Sequence, residues 1–132
     1  MKLGLIGGKL GHSASPEIHK RLFRMLDISD DMEYGLLEMD RNDIPNELKV
    51  LANEYTGMNV TIPYKEQVIP YLDSLSPEAK AIGAVNVIRV THKGNKTILK
   101  GFNSDVIGFT RSIEPLLERH HKKALILGTG GA

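Results

Sequence analysis

Short apolar segments alternate along this chain with segments in which apolar residues recur every three or four positions. The short segments predict strands at residues 2–8, 32–39 and 57–62, and the spacing of three or four predicts helices at 15–26 and 44–55. The order strand, helix, strand, helix, strand is typical of a largely parallel sheet.

The sequence serine-proline-acid occurs twice and predicts two helix starts. In each, the serine would cap the helix, proline would take its first position, and the acid would lie near the positive end of the helix dipole. These serines are Ser15 and Ser76, and Gly83 suits the position just past the second helix. Ser13 lies before the first cap, in a loop beyond a strand end, where open α/β sheets bind ligands.

The second half of the chain predicts an antiparallel hairpin followed by a helix. Strands at 84–90 and 97–102 flank a polar turn. Asn86 lies in an otherwise apolar strand, where it is either a satisfied core amide or a ligand contact. Asp105 would cap the next helix, which Pro115 should kink or interrupt. We therefore predict an α/β fold: a three-layer sandwich with a mostly parallel sheet, an antiparallel hairpin and helices on both faces.

The strand that begins at Gly57 is predicted to present polar groups to a cleft. Its residues alternate in polarity, so that Val60 and Ile62 would enter the core while Asn59 and Thr61 would face the other way.

Lys65 follows this strand closely, two residues after Pro63. Proline cannot donate to a sheet, so the strand should end there and a helix should start. Lys65 would then lie in the first helical turn, where the helix dipole disfavours a cation. Such a placement costs stability unless a ligand or a carboxylate compensates; the alternative is an ordinary surface lysine after a strand.

Composition excludes several classes of function. The 132 residues suit one domain, and the formal net charge of +1 gives no electrostatic support for nucleic-acid binding. The chain has no cysteine, which excludes disulfides and thiolate metal sites and fits a cytoplasmic location. No apolar run approaches the roughly 18 residues of a membrane span, and the first residues do not resemble a signal peptide. The histidines lack zinc-site spacing, so no metal site is expected.

The last residues predict the start of a second unit. An apolar run at 124–127 leads into a glycine-rich loop at 128–132. A short strand running into such a loop is how a dinucleotide-binding unit opens. By itself this signal is weak, because the helix and the ribose-binding residue that should follow are missing.

Four separated motifs precede this glycine loop in one order. They are His12-Ser13-Ala14-Ser15-Pro16, Asn59-Val60-Thr61-Ile62-Pro63-Tyr64-Lys65, Gly83-Ala84-Val85-Asn86 and Gly101-Phe102-Asn103-Ser104-Asp105. The combination resembles the shikimate dehydrogenase family, over its N-terminal substrate-binding domain and the first strand and glycine loop of its NADP-binding domain. The resemblance implies a shikimate-binding catalytic domain at 1–105, a linker helix at 106–122, and the start of a truncated Rossmann-type NADP-binding domain at 123–132.

The resemblance also implies how the substrate is held. Ser13 and Ser15 would bind its carboxylate, and Asn59, Thr61 and Asn86 would contact ring hydroxyls and the carboxylate.

Lys65 and Asp105 match the catalytic lysine and aspartate of the family, which contact the reacting hydroxyl. Oxidation of a secondary alcohol needs a base for the hydroxyl proton. The resemblance implies that Lys65 is this acid/base group; alternatively, Lys65 mainly polarises the oxygen while Asp105 relays the proton. The implied NADP contacts are Gly128, Gly130, Gly131 and Ala132.

The family oxidises shikimate reversibly to 3-dehydroshikimate with NADP, in aromatic amino-acid biosynthesis. The resemblance implies that this chain is the substrate-binding domain of such an enzyme, a monomer or homodimer without nucleic-acid or membrane partners, and that it is inactive alone. The alternatives are a quinate/shikimate dehydrogenase that uses NAD, and a non-catalytic module that binds a hydroxylated carboxylate. Lys9, Val87 and Ser104 depart from the commonest family residues, and Val87 bears on the preference for shikimate or quinate.

Overall fold

The computed structural model describes residues 1–127, which form one six-stranded sheet with helices packed on it. The strands are β1 (Lys2–Gly7), β2 (Glu33–Glu38), β3 (Gly57–Val60), β4 (Ser74–Leu75), β5 (Val87–Lys93) and β6 (Lys96–Phe102). The α-helices are α1 (Ser15–Met25), α2 (Ile44–Glu54), α3 (Pro77–Ile82) and α4 (Asp105–Ile113). Short 3-10 helices occupy Ser29–Asp31, Arg41–Asp43, Ile69–Tyr71 and Glu114–Leu116.

The strand order is β2-β1-β3-β5-β6-β4. β1 runs parallel to β2 and β3, and β4 runs parallel to β6, whereas β5 is antiparallel to both β3 and β6. Because β5 reverses direction, its amino end and the carboxyl end of β6 lie at the same edge of the sheet as the carboxyl ends of β1 and β3. We call this the carboxyl edge. The predicted α/β fold with a mostly parallel sheet and a hairpin is confirmed.

The two longest helices cover opposite faces of the sheet. α1 connects β1 to β2, and α2 connects β2 to β3, which lies on the other side of β1. The two crossovers therefore run in opposite directions along the sheet. Because both are right-handed, α1 and α2 lie on opposite faces. On the α2 face, a core cluster joins Ile44 and Leu48 of the helix to Ile6, Met58 and Val60 of the strands. The sheet is therefore the middle of three layers, as predicted.

The side chains along β3 alternate between the core and the opposite face of the strand. Met58 and Val60 are each 2% exposed, whereas Asn59 and Thr61 are partly exposed. The predicted alternation is therefore confirmed through Thr61. The prediction that Ile62 enters the core is wrong, because β3 ends at Val60 and Ile62 is 72% exposed in the following turn.

The apolar stripes of α1 and α4 are only partly covered within the described residues. Phe23 of α1 is buried, while Ile18 is 53% and Met25 is 82% exposed. In α4, Phe109 is 65% exposed. The spacing of apolar residues therefore predicts the helices correctly without showing that their apolar faces are buried.

The predicted linker helix at 106–122 is shorter in the structure. α4 ends at Ile113, and a 3-10 turn follows at Glu114–Leu116. Pro115 accounts for the change, because it lacks the N–H of a helical hydrogen bond and its ring clashes with the preceding turn.

The predicted strand at 124–127 is also wrong. These residues lie outside any strand, and Leu125 and Leu127 are 84% and 88% exposed. A strand requires a neighbour for its hydrogen bonds, and the described part of the chain places none beside this segment.

Two glycines offer a test of the backbone assignments. Gly83 ends α3 with a φ of 74°, and Gly108 lies inside α4; an added Cβ would meet open space at both. We expect Gly83→Ala to lower the free energy of unfolding by about 1 kcal/mol, because alanine disfavours a left-handed backbone. Gly108→Ala should raise it by about 0.5–1 kcal/mol. Urea denaturation of the two variants measures both changes, and changes of the same sign would contradict these assignments.

Candidate functional site

Every predicted substrate-binding or catalytic residue of the described part lies at the carboxyl edge. Ser13 and Ser15 follow β1, Asn59 and Thr61 lie at the end of β3, Lys65 lies in the turns after it, Asn86 precedes β5, and Asp105 follows β6.

An ion pair joins two of these segments. Lys65 Nζ donates to Asp105 Oδ2 at 2.7 Å. The Lys65 side chain is 15% exposed and the Asp105 side chain 42% exposed, so the lysine is largely covered while the carboxylate is accessible. The backbone that carries the lysine is anchored, since the Lys65 carbonyl accepts from Val85 N at 2.8 Å. The neighbouring Tyr64 is buried, and its hydroxyl donates to the Met39 carbonyl at 2.6 Å.

The prediction that Lys65 lies in the first turn of a helix is wrong. Residues 62–68 form turns, and the Lys65 carbonyl is bonded to Val85 rather than to an amide four residues further on. A helix dipole therefore does not act on the lysine. A carboxylate, one of the two compensating groups that the prediction named, is present as Asp105.

Asn86 orients the Asp105 carboxylate. It is 8% exposed and immediately precedes β5, which begins three residues later than predicted. Its Nδ2 donates to Asp105 Oδ1 at 2.7 Å and to Ser104 Oγ at 2.9 Å, and its Oδ1 accepts from Ser104 N at 2.8 Å. The amide is satisfied within the protein, which favours the first of the two predicted alternatives. Its bond to Oδ1 leaves Oδ2 of the carboxylate facing the lysine.

Asn103, rather than Asp105, caps the start of α4. Its side chain is 6% exposed, and its Nδ2 donates to the Ala84 carbonyl at 3.0 Å. Its Oδ1 accepts from Asp105 N at 3.0 Å and from Val106 N at 3.4 Å. The predicted cap at Asp105 is therefore wrong: Asp105 is the first helical residue, and its carboxylate is free to bond Lys65 and Asn86.

A cavity of about 270 Å³ lies at the same edge. It is lined by Leu5, Lys9, Leu10, His12, Ser13, Ser15 and Thr61. Three hydroxyl groups and a lysine in one concavity suit a hydrogen-bonding anion such as a carboxylate.

The predicted N-cap at Ser15 is wrong. Ala14 takes the N-cap position and Ser15 is the first residue of α1. Ser13 Oγ accepts from Ser15 N at 3.2 Å, and so satisfies one of the amides left free at a helix start. The Ser15 hydroxyl is consequently not used as a cap.

Tyr34 of β2 is a member of the site that the sequence pattern did not predict. Its hydroxyl donates to Asn59 Oδ1 at 2.8 Å. Burial raises the pKa of Tyr34, and a hydrogen bond with the Ser15 side chain offsets part of the rise. The ring of His19 stacks on the Tyr34 ring, with centroids 3.8 Å apart and planes 17° from parallel.

The two unpredicted residues differ in the signal they carry. Asn103 is of a residue type that prefers helix starts and stands two positions before Asp105, so its capping role had a local signal. Tyr34 acts across the sheet, and its role depends on β1 lying between β2 and β3, which local spacing does not specify.

The described residues were also compared with the expectations for a metal site, a membrane span and the NADP contacts. Within residues 1–127, the structure places no three His, Asp or Glu side chains together as metal ligands. Over the same residues, every helix is too short or too polar to cross a membrane. The predicted NADP contacts Gly128, Gly130, Gly131 and Ala132 lie outside the described residues.

Comparison with known families agrees with this arrangement. The family model described as shikimate dehydrogenase substrate binding domain matches residues 5–88, more than half of the chain. The chain belongs to this family. The matched range includes the cavity residues, Lys65 and Asn86.

Curated relatives of the family are longer than this chain. A protein from Clostridium perfringens (strain SM101 / Type A), named shikimate dehydrogenase (NADP(+)), is 46% identical over 137 residues, a match that covers 100% of this chain and 48% of that protein. The chain spans about half the length of the curated relatives it matches.

Solved structures of the family share the fold. Shikimate dehydrogenase 1 from Peptoclostridium difficile superposes with a TM-score of 0.86 at 42% identity, covering 98% of this chain and 47% of that one. Shikimate 5-dehydrogenase from Thermus thermophilus, solved in complex with NADP(H) and shikimate, superposes with a TM-score of 0.78 at 31% identity, covering 87% of this chain and 42% of that one.

The role of Asn103 can be tested by its stability effect. We expect Asn103→Ala to lower the free energy of unfolding by about 1–3 kcal/mol, because it leaves the buried Ala84 carbonyl and two amides at the start of α4 without partners. The matched control is Asn46→Ala on the exposed face of α2, which should change the value by less than about 0.5 kcal/mol. Urea denaturation measures both, and equal small changes would show that Asn103 does not hold the start of α4.

Proposed function

We propose that this chain is the substrate-binding domain of an NADP-dependent shikimate dehydrogenase, which oxidises shikimate reversibly to 3-dehydroshikimate in aromatic amino-acid biosynthesis. The observation that carries the proposal is the pair formed by Lys65 Nζ and Asp105 Oδ2, 2.7 Å apart at the same edge as the hydroxyl-lined cavity. A hydroxylated ring carboxylate would place its carboxylate in the cavity and one hydroxyl at the pair. Membership of the family and the names of the relatives support shikimate as that substrate.

The cavity would hold the substrate by its carboxylate. The hydroxyls of Ser13 and Ser15 would donate to the carboxylate oxygens, and Lys9 adds positive charge to the wall. Asn59 and Thr61, on one face of the chain at the end of β3, would contact ring hydroxyls.

Asn86 has a more restricted part in this proposal. Both protons of its amide are engaged by Asp105 and Ser104. A substrate hydroxyl would therefore have to replace Ser104 Oγ to bind it, and its main role would be to orient Asp105.

The Lys65–Asp105 pair would take the proton of the reacting hydroxyl. In one route, Lys65 first releases a proton, so that its neutral amine can accept the hydroxyl proton while Asp105 stabilises the ammonium that forms. In the other, Lys65 polarises the oxygen and Asp105 relays the proton. The two groups are joined by a 2.7 Å bond, so both residues take part in either route. The exposed side of Asp105 gives that proton a path to water.

The chemistry of this pair fits the use of a separate oxidant, because lysine and carboxylate side chains cannot accept hydride. NADP, when bound, would accept the hydride from the substrate carbon. We propose Gly128, Gly130, Gly131 and Ala132 as NADP contacts on the basis of their sequence pattern.

The domain boundaries are part of the same proposal. Residues 1–105 would form the substrate domain and 123–132 the start of the NADP-binding domain, with 106–122 between them. The 48% coverage of the Clostridium perfringens relative supports a two-domain enzyme. A cytoplasmic location and a monomeric or homodimeric state stay predictions from the sequence.

Replacement of Lys65 tests the catalytic part of the proposal. In the full-length enzyme, Lys65→Met should lower kcat for shikimate by roughly 10²–10⁴-fold, because methionine cannot transfer a proton. The free energy of unfolding should fall by no more than about 1 kcal/mol, since the lost partner is a partly exposed carboxylate. Steady-state kinetics with NADP, together with denaturation, measures both quantities.

Two controls make this result specific. Lys49→Met removes an exposed lysine from α2 and should leave kcat unchanged. The 132-residue chain alone should show no turnover. A Lys65→Met enzyme with near-normal kcat would contradict the proposed mechanism. Shikimate binding without turnover in the unmutated full-length protein would instead favour the non-catalytic module.

A further inference from the structure

A hydrogen-bonded tyrosine lies behind the proposed substrate contacts. The Tyr34 hydroxyl donates to Asn59 Oδ1 at 2.8 Å. The phenol is therefore bonded directly to a residue that is proposed to contact ring hydroxyls. Tyr34 itself does not line the carboxylate cavity.

The bond determines which end of the Asn59 carboxamide faces the cleft. A carboxamide has an oxygen that only accepts and a nitrogen that donates two protons. Burial raises the pKa of Tyr34, so the phenol stays protonated near neutral pH and remains a donor. With Oδ1 taken up by this donor, the two protons of Nδ2 are left for a ligand oxygen.

The tyrosine ring is held in place by α1. His19 stacks on it at 3.8 Å, and Phe23 packs against His19 at 6.0 Å. His19 Nδ1 lies 2.8 Å from the Ser15 carbonyl, which only accepts, so this nitrogen carries the proton. The backbone of Ser15 is thus tied to the histidine that fixes Tyr34.

We propose that Tyr34 is a positioning residue, which aims the Asn59 amide at the substrate and thereby sets the affinity for a hydroxylated carboxylate. The inference rests on the proposed function, because it assigns roles toward shikimate. It adds a residue of β2 that does not line the carboxylate cavity.

The test is a double-mutant cycle in the full-length enzyme. Tyr34→Phe keeps the ring that stacks on His19 and removes only the hydroxyl. We expect the KM for shikimate to rise about three- to tenfold, the equivalent of one hydrogen bond, while kcat changes less than about twofold. Asn59→Ala should also raise the KM, and the double variant should bind no worse than Asn59→Ala alone, because the two residues act through one bond.

A matched control separates this effect from a general loss of packing. Tyr55→Phe makes the same chemical change in a partly buried tyrosine that packs under Gly4 and Gly35, on the opposite face of the sheet. Its KM should equal that of the unmutated enzyme.

A second variant tests the amide direction without altering Tyr34. Asn59→Asp keeps an oxygen for the phenol but removes the two nitrogen donors, so its KM should rise at least as much as that of Tyr34→Phe. An unchanged KM in Tyr34→Phe or Asn59→Asp, or fully additive effects in the cycle, would overturn the inference while leaving the proposed function intact. If the unmutated full-length enzyme shows no shikimate-dependent turnover, the proposed function fails and the inference fails with it.

Discussion

The reversal of chain direction between β3 and β5 is the constraint on which the candidate site depends. Because β5 starts where β3 ends, the Asn86 carbonyl accepts from Val60 N at 2.9 Å, and Asn86 N donates to the Phe102 carbonyl at 3.0 Å. The segments that precede β5 and follow β6 are thereby brought against the turn that carries Lys65. A parallel β5 would start at the opposite edge, and seven residues of strand would separate the two groups by about 20 Å.

Within this arrangement of strands, amide side chains rather than charges fix the position of Asp105. Asn103 ties the start of α4 to the Ala84 carbonyl, and Asn86 holds one carboxylate oxygen. Both amides are buried, so their bonds are costly to break. The result is a carboxylate whose second oxygen faces Lys65 before any ligand arrives, which is the preorganisation that proton transfer at a bound hydroxyl requires.

The spacing of apolar and polar residues was sufficient to predict much of this arrangement. It failed where a residue distant in the sequence determines the local structure. Alternation along the chain correctly placed Asn59 and Thr61 away from the core, and the order of elements correctly predicted the sheet. The helix at Lys65 was wrong because its carbonyl bonds to Val85, twenty residues away in the sequence. Tyr34 was missed because it reaches Asn59 across β1. Periodicity indicates which side of a helix or strand is apolar, but it does not indicate which helices and strands become neighbours.

The most direct test of the account is a crystal structure of this chain with shikimate. The account predicts the carboxylate of shikimate within hydrogen-bonding distance, about 2.5–3.2 Å, of the Ser13 and Ser15 hydroxyls, with one ring hydroxyl at the same distance from Lys65 Nζ. Shikimate bound in the reverse orientation, with its carboxylate on Lys65, or bound away from the carboxyl edge, would contradict it.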